Sequence, residues 1–338
     1  MTDETALDEL LTCVQDFRDT ADAVAESRGD LRDGRVYVVS DEIKTAIKVA
    51  IVTGRPLLLS GPPGCGKSSL ASYVARNLGL AYSEFTVTDG AQPQELLWRV
   101  DTVRRLNDAQ LGRLNTPDGP NSLNQYIDPG PLWWSLDPKT ARRRGASGEA
   151  SAVPDARPPS QLRDHHPTRS GAVLLIDEID KADSSFCNGL LVPLGSRQFF
   201  VPAIDTMVVA DETQVPGSPI VLITTNNERD LPDAFVRRCI ALSIPPPTPE
   251  KLVEIALRHF GRRAQEQDTQ RQITTLAQRM AGGDHQGSTS STPSTAEFLD
   301  LVRTLLSLKI DIDGAEWNIV QQLIIEKRDV RSSRMMEW

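Results

Sequence analysis

The sequence predicts an α/β fold in which a parallel five-stranded sheet is covered by helices on both faces, followed by a small all-helical C-terminal domain. Five short apolar runs alternate with helical segments, and this pattern is typical of parallel strands that are buried on both faces. Beyond residue 248 the apolar residues recur only at helical spacing. The length of 338 residues favours one large domain and a smaller one over a single core.

The chain is predicted to begin with a helical segment over residues 1–34, because apolar residues recur at helical spacing between residues 5 and 28. Residues 35–247 are assigned to the three-layer αβα domain, and residues 248–338 to the helical domain. The first helix of the large domain is predicted over residues 40–54, since Ser40 can cap its N-terminus and Gly54 can end it.

The predicted strands are short and rich in Val, Ile and Leu, and the sequence does not give their order in the sheet. A helix that ends at Gly79 is expected after the first strand and the glycine-rich loop that follows this strand. The five strands are predicted over residues 57–60, 83–87, 172–176, 220–225 and 240–244.

Two segments, residues 139–170 and 281–295, are predicted to be loops. They contain few large apolar residues, so they bury too little surface to offset the entropy that ordering costs. The first includes the run Arg142-Arg143-Arg144, for which a solvated linker is favoured over the alternative of contact with acidic surfaces. The C-terminal helices are predicted over residues 250–260, 270–280, 296–308 and 315–327.

The segment GPPGCGKSS, between the first strand and its helix, fits the pattern G-x-x-x-x-G-K-[ST]. Its glycines allow backbone N–H groups to curl around phosphates, and the helix N-terminus adds partial positive charge. Lys67 is expected to reach the β- and γ-phosphates, and the Ser68 hydroxyl to bind Mg²⁺. The predicted site for ATP and Mg²⁺ comprises Gly61, Pro62, Pro63, Gly64, Cys65, Gly66, Lys67, Ser68 and Ser69.

An apolar strand over residues 173–176 is followed by two carboxylates, Asp177 and Glu178. The end of such a strand faces the ligand crevice of a parallel sheet. Asp177 is predicted to hold Mg²⁺, and Glu178 to act as the base that polarises the attacking water. A solvated start of a helix is the alternative interpretation, and the presence of the phosphate loop favours the catalytic one.

Polar and basic residues follow the fourth predicted strand. Asn226 is placed to hydrogen-bond the γ-phosphate or the attacking water, with a simple turn as the alternative. Arg237 and Arg238 directly precede the fifth strand, and an arginine supplied to a neighbouring site stabilises the charge on a phosphoryl group in transfer. A surface ion pair is the alternative for this pair.

In this order, GPPGCGKSS, LLIDEIDKA, ITTNNERDLPDAFVRRC and a helical tail resemble the AAA+ ATPases, and more narrowly the MoxR-like group. The resemblance implies a P-loop NTPase domain with a helical lid, nucleotide between the two, and a hexameric ring. In that ring Arg237 or, preferentially, Arg238 would act on the neighbour's ATP, while Asn226 would be sensor 1. No arginine stands at Ser294-Thr295, where many AAA+ proteins place the sensor 2 residue.

The MoxR-like resemblance also implies two insertions, one over residues 96–137 and one hairpin over residues 199–210. Such hairpins usually contact the protein that the ATPase acts on. For Phe199 and Phe200, exposure on the hairpin and packing in the core remain equal alternatives.

The expected function is ATP-driven remodelling of a protein partner, for which the MoxR-like resemblance implies a protein with a von Willebrand factor A domain as one candidate. The net charge of −9 argues against nucleic acid and anionic membranes as partners. A nucleic-acid-dependent motor or loader is the alternative, and a binding-only switch is disfavoured by Glu178. The acidic N-terminus and the lack of a long apolar run predict a cytoplasmic protein.

Overall fold

The computed structural model describes residues 3–17, 34–112, 123–146, 154–159, 162, 164–281 and 294–326. Its contacts divide the chain into two compact units. The first unit comprises Met1–Phe17, Ser40–Ser60 and Ser68–Ser243. The second comprises Arg18–Val39, Gly61–Lys67 and Ile244–Trp338.

The first unit contains nine strands and the helices that surround them, within the part of the chain just given. The strands are β1 (Leu57–Ser60), β2 (Ala81–Thr86), β3 (Trp98–Val100), β4 (Ile127–Pro129), β5 (Ala172–Asp177), β6 (Gln198–Val201), β7 (Thr206–Val209), β8 (Ile220–Thr225) and β9 (Ile240–Ser243). The helices are α1 (Asp3–Gln15), α2 (Asp41–Thr53), α3 (Lys67–Leu78), α4 (Pro93–Leu97), α5 (Thr102–Gln110), α6 (Pro131–Leu136), α7 (Pro138–Arg142), α8 (Ser184–Ser196) and α9 (Asp233–Val236).

Five strands form one parallel sheet in the order β2-β5-β8-β1-β9. The residues of β5 and β8 are buried throughout, as expected for central strands covered on both faces. The predicted five-stranded parallel sheet is confirmed, and each predicted strand lies within two residues of its observed bounds. Because all five strands run the same way, their carboxyl ends share one edge of the sheet, with Asp177 and Thr225 at that edge.

The predicted limits of α2 are confirmed by its caps. The Ser40 side chain accepts a hydrogen bond from the Ile43 N–H at 3.3 Å, and Gly54 adopts a left-handed conformation with φ of 65°. Gly79, with φ of 66°, follows the last residue of α3 in the same way. Helix α1 begins the chain as predicted, whereas residues 18–33 of that predicted segment lie outside the described residues.

Two small antiparallel sheets of two strands each are separate from the five-stranded sheet. Strand β3 pairs with β4, and β6 pairs with β7 as the predicted hairpin. The hairpin separates its two phenylalanines: Phe199 is buried, while Phe200 is exposed together with Met207 and Val209. Each of the two alternatives for this pair therefore holds for one residue.

The prediction of a loop over residues 139–170 is wrong at its start. Helix α7 begins at Pro138, because the Asp137 carboxylate accepts hydrogen bonds from the backbone N–H groups of Lys139 and Thr140, both at 3.0 Å. The expectation of a solvated Arg144 is also wrong: its guanidinium lies 2.7 Å from the Asp128 carboxylate, and its side chain is only 11% exposed. Residues 147–153 of the predicted loop lie outside the described residues.

The second unit contains the C-terminal helices and a core of their own. The helices are α10 (Pro249–Phe260), α11 (Gln267–Ala281), α12 (Thr295–Leu308) and α13 (Ala315–Gln321), and one π-helical turn follows over Gln322–Glu326. They enclose buried residues that include Phe298, Leu301 and Trp317. All four predicted C-terminal helices are confirmed, and residues 282–293 of the second predicted loop lie outside the described residues.

Candidate active site

The phosphate loop, Gly61–Lys67, has a backbone that requires glycine at three positions. Gly61, Gly64 and Gly66 have φ of 149°, 78° and 94°. A Cβ atom on Gly61 would lie 2.3 Å from the Ile244 carbonyl oxygen, so a side chain there would force the backbone apart. The glycines that the motif specifies are therefore demanded by both conformation and space.

The Lys67 ammonium lies inside this loop. Its Nζ donates hydrogen bonds to the carbonyl oxygens of Gly61 at 2.7 Å and Pro62 at 2.8 Å, and the residue is buried. The loop thus holds the lysine at the concave side of its own backbone. Burial raises the pKa of the Cys65 thiol, and the nearby Lys67 charge opposes that rise, so the thiol is protonated at neutral pH.

Two contacts of the phosphate loop were not foreseen from the sequence. The Tyr37 ring packs against Gly66, where a Cβ atom would lie 3.3 Å from the ring. Burial raises the pKa of the Tyr37 hydroxyl. The Thr295 N–H donates to the Gly64 carbonyl oxygen at 3.2 Å, at the start of α12. Ser294 and Thr295, rather than an arginine, therefore lie against the loop from this helix.

In the first unit, three oxygen-bearing side chains meet at the carboxyl edge of the sheet. The Ser68 hydroxyl donates to Asp177 Oδ1 at 2.6 Å, and the Thr224 hydroxyl donates to the same oxygen at 2.7 Å. Asp177 and Thr224 are both buried. Sequence reasoning found Ser68 and Asp177 but missed Thr224, because only the adjacency of β5 and β8 brings it beside Asp177.

Glu178 has a constrained backbone and a partnered carboxylate. Its φ of 60° is left-handed, and its N–H donates to the Thr224 hydroxyl at 2.8 Å. Its side chain forms an ion pair with Lys181 through Oε2, and Oε1 lies 3.4 Å from the Asn226 amide nitrogen. The hydrogen bond to Glu178 raises the pKa of Lys181, so this lysine stays charged well above neutral pH. The structure thus brings the two residues predicted as base and sensor together.

Asp180 fixes the backbone that carries Asn226. Its Oδ2 accepts hydrogen bonds from the Asn226 N–H at 3.0 Å and the Glu228 N–H at 2.9 Å, and the side chain is almost fully buried. Its Oδ1 has no hydrogen-bond partner among the described residues. Sequence reasoning missed Asp180, although a third acid two residues after a DE pair was the available signal.

Arg237 and Arg238 lie elsewhere in the first unit, at the opposite edge of the sheet. Both side chains are exposed, and both residues precede β9 rather than follow it. In the sheet, a row is a set of residues that lie opposite one another on neighbouring strands. Thr224, Leu59 and Leu242 form one row, and Ile176 belongs to the row that precedes it by one residue along each strand. Asp177 is therefore in the row of Leu242.

This register gives the separation between the arginines and the carboxylates. Arg238 lies four residues before that row, or about 13 Å along the strands, and β9 lies three strand spacings from β5, or about 14 Å across the sheet. No hydrogen bond joins either guanidinium to Asp177 or Glu178 within the described ranges. The structure brings Ser68, Asp177, Glu178 and Asn226 together and leaves the two arginines apart from them.

A cavity of about 380 Å³ lies beside the two arginines. It is bordered by the ends of α2, α8 and α9, with Leu190, Leu194 and Phe235 among its lining residues. Burial raises the pKa of Cys239, which also lines it, to about 12. None of Ser68, Asp177, Glu178 and Asn226 lines this cavity.

The parallel sheet, the phosphate loop and the two carboxylates at the end of β5 define a P-loop ATP hydrolase. The family model described as the AAA domain of the dynein-related subfamily matches residues 56–239, more than half of the chain. The chain belongs to this AAA family. No curated protein gives a significant sequence match.

Several solved structures of low sequence identity are similar to this chain over most of its length. The P216G mutant of Thermotoga maritima RuvB is 16% identical with a TM-score of 0.43, and the match covers 89% of this chain and 74% of that one. A Cytophaga hutchinsonii protein described as a candidate ATPase is 14% identical with a TM-score of 0.38, covering 89% and 65% of the two chains. The A156S mutant of the same RuvB is 17% identical with a TM-score of 0.41, covering 83% and 67%. Among the described residues, no helix is both long and apolar enough to cross a membrane.

Proposed function

We propose that this ATP hydrolase works as a ring of six identical copies, as its MoxR-like resemblance implies, and remodels a protein partner. The observation that carries the proposal is the position of Arg237 and Arg238. They lie at the amino edge of the sheet, whereas the carboxylates lie at the carboxyl edge of the same sheet. A second copy is needed to bring such an arginine to the phosphates, where it stabilises the charge of the transition state.

The residues at the carboxyl edge fit ATP with Mg²⁺. Magnesium is usually held by one or two carboxylates, waters and substrate phosphates, and it requires oxygen ligands. The Ser68 hydroxyl and the Asp177 carboxylate already lie 2.6 Å apart, so both oxygens face one point. When bound, the ion would neutralise charge on the β- and γ-phosphates.

The remaining residues have separate roles in hydrolysis. Lys67 leaves its carbonyl partners in the loop and pairs with the phosphates, while the loop N–H groups hold them. Glu178 accepts the proton of the attacking water, the water oxygen bonds to the γ-phosphorus, and the bond to the bridging oxygen of ADP breaks. Lys181 and Asn226 contact different oxygens of the Glu178 carboxylate, so the two contacts together determine how Glu178 is oriented.

The hairpin β6–β7 supports a protein as the partner. Phe200, Met207 and Val209 are 45%, 54% and 50% exposed, and the register sets Phe200 opposite Met207. Exposed apolar side chains that share one face of a small hairpin are typical of protein contact. We propose that the hairpin touches a cytoplasmic protein, with von Willebrand factor A domain proteins as the candidate class from the MoxR-like resemblance.

The Glu178→Gln variant tests the chemistry and the assembly together. It should bind ATP with Mg²⁺ normally, lose hydrolysis by at least two orders of magnitude, and accumulate as an ATP-dependent oligomer by light scattering. Glu212→Gln, an exposed glutamate outside the site, is the matched control. Native hydrolysis by Glu178→Gln would show that another group is the base.

Dilution of the wild-type protein tests the arginine in trans. Specific activity should fall as concentration drops below that needed for assembly, because separate copies lack the second half of the site. Activity that stays constant on dilution of demonstrably monomeric protein contradicts the ring. Strong stimulation by DNA or RNA, with steep salt dependence, would favour the nucleic-acid motor instead.

A further inference from the structure

We infer that Arg55 is a positioning residue that holds the backbone carrying Arg237 and Arg238. The inference rests on the proposed function, since it assigns Arg55 to the presentation of these arginines to a neighbouring copy. Arg55 does not touch the phosphates in this scheme. It fixes the segment from which the acting guanidinium extends.

The Arg55 guanidinium binds three consecutive carbonyl oxygens of that segment. Nε donates to Arg238 O at 3.1 Å, and one terminal nitrogen donates to Cys239 O at 3.0 Å and also to Arg237 O. The side chain thereby spans the turn between α9 and β9. The next residue, Pro56, accepts the Ile240 N–H through its carbonyl oxygen at 2.8 Å, so the two segments are joined at adjacent positions.

Local structure explains why this segment needs hydrogen bonds from a residue outside it. Helix α9 has only four residues, Asp233–Val236, and the last carbonyls of a helix have no partner within it. The positive charge of Arg55 is favourable at this C-terminus, and its planar guanidinium offers several donors in a fixed geometry. Both arginines also line the cavity of about 380 Å³, so side-chain packing does not fix the segment on that side.

The hydrogen bonds from Arg55 matter because the side chains of Arg237 and Arg238 are exposed and can rotate freely. Long exposed arginines occupy many rotamers, and only the backbone position limits where their guanidinium groups reach. A displacement of about 1 Å at a catalytic group can cost about 100-fold in rate. Loss of Arg55 should therefore lower turnover at the neighbouring site without changing the affinity of either copy for ATP.

The test uses the full chain with Arg55→Gln, which keeps a polar side chain but lacks the guanidinium. We expect kcat to fall at least 10-fold, with the KM and Kd for ATP changed less than twofold. Arg55→Lys should recover part of kcat, because an ammonium can bind one or two of the three carbonyls. Arg142→Gln, an exposed arginine on α7, is the matched control and should behave as wild type.

Mixing copies separates positioning from a folding defect. Arg55→Gln copies retain their own phosphate loop and Glu178, whereas Glu178→Gln copies retain a normally held arginine segment. An equimolar mixture should hydrolyse ATP several-fold faster than the sum of its parts, because each Glu178→Gln copy supplies the arginine that its neighbour lacks. A variant that had simply lost its own site would gain nothing.

The double variant Arg237→Ala/Arg238→Ala, mixed with Glu178→Gln copies, distinguishes the role of Arg55 from the proposed arginine in trans. If it gains activity on mixing while Arg55→Gln alone keeps wild-type kcat, the role of Arg55 is overturned and the ring stands. If Arg55→Gln loses activity that mixing does not restore while the double variant is rescued, Arg55 is structural only. If mixing rescues neither, the arginine in trans fails, and the role of Arg55 fails with it.

Discussion

Replacement of Asp180 by alanine should free the backbone of Asn226 and move its amide away from the Glu178 carboxylate. The Asp180 carboxylate is almost fully buried and accepts two backbone N–H groups, from Asn226 and Glu228. Alanine removes Oδ2, the shared acceptor of both hydrogen bonds, and leaves two partly buried donors without a partner. The turn after β8 would then relax toward solvent to hydrate them.

The expected cost follows from the two hydrogen bonds. A hydrogen bond to a charged group contributes about 1.5–3 kcal/mol, and the bonds of one carboxylate are not additive. The turn can open locally, so the loss of stability should be about 2–4 kcal/mol rather than the sum. For a unit of this size that corresponds to a decrease in Tm of about 4–16 °C, at about 2–4 °C for each kcal/mol.

The matched control lies three residues further along the chain. Asp183 is exposed, precedes α8, and makes no side-chain capping hydrogen bond, so Asp183→Ala should leave both Tm and activity unchanged. Asp180→Asn should be intermediate, because the amide oxygen can still accept, whereas its NH₂ group meets a buried position where Oδ1 has no partner among the described residues.

Thermal unfolding and steady-state ATP hydrolysis measure the two consequences separately. We expect kcat to fall by about 10-fold or more for Asp180→Ala, since misplacement of the Asn226 amide affects the attacking water more than ATP binding. The order wild type, Asn, Ala should hold in both assays. An Asp180→Ala protein with unchanged Tm and kcat would refute the assignment of Asp180 as the residue that fixes this turn.

Three other substitutions give independent results. Ser68→Ala should raise the Mg²⁺ concentration for half-maximal hydrolysis about 10-fold, measured by metal titration, and an unchanged requirement would contradict its role as a ligand. Gly64→Ala should weaken ATP binding at least 10-fold by titration, because its Cβ would lie 2.2 Å from Ser294 Cβ, whereas Gly195→Ala, with open space around it, should not. Asp211→Asn should lower stability by ~1 kcal/mol at pH 7, because hydrogen bonds from Thr213 and then from Lys139 stabilise the Asp211 carboxylate and lower its pKa. This stabilisation is present above pH ~4, near the ordinary pKa of an aspartate, and is lost as pH falls through the pKa of the folded protein. Melting curves of the two proteins should therefore converge in acid.

The parallel sheet and the phosphate loop could be predicted because each depends on local signals. Five apolar runs bounded by breakers, and a glycine pattern between a strand and a helix, carry their own structural requirements. The error over residues 139–142 has a local cause as well. Low apolar content outweighed the Asp137-Pro138 start signal, although that pair both caps and begins α7.

The residues that sequence reasoning missed depend on contacts distant in the chain. Thr224 lies beside Asp177 because β5 and β8 are neighbours, and strand order could not be derived from the sequence. In the sequence, Arg55 is an ordinary basic residue before a strand. Its role depends on the pairing of β9 with β1, which brings the turn after α9 to the Arg55 guanidinium. A single sequence shows which residues can do chemistry more readily than which ones hold them.

If Arg237 or Arg238 acts in hydrolysis as proposed, the sheet explains why one copy would be an incomplete catalyst. A parallel sheet collects strand ends of one kind at each edge, so groups that precede strands and groups that follow them cannot meet within the sheet. Asp177 follows the body of β5, whereas Arg238 precedes β9, and the separations of about 13 Å along and about 14 Å across the strands exceed the length of an arginine side chain. Turnover that depends on these arginines must therefore depend on contact between copies, and assembly becomes the step at which hydrolysis can be controlled.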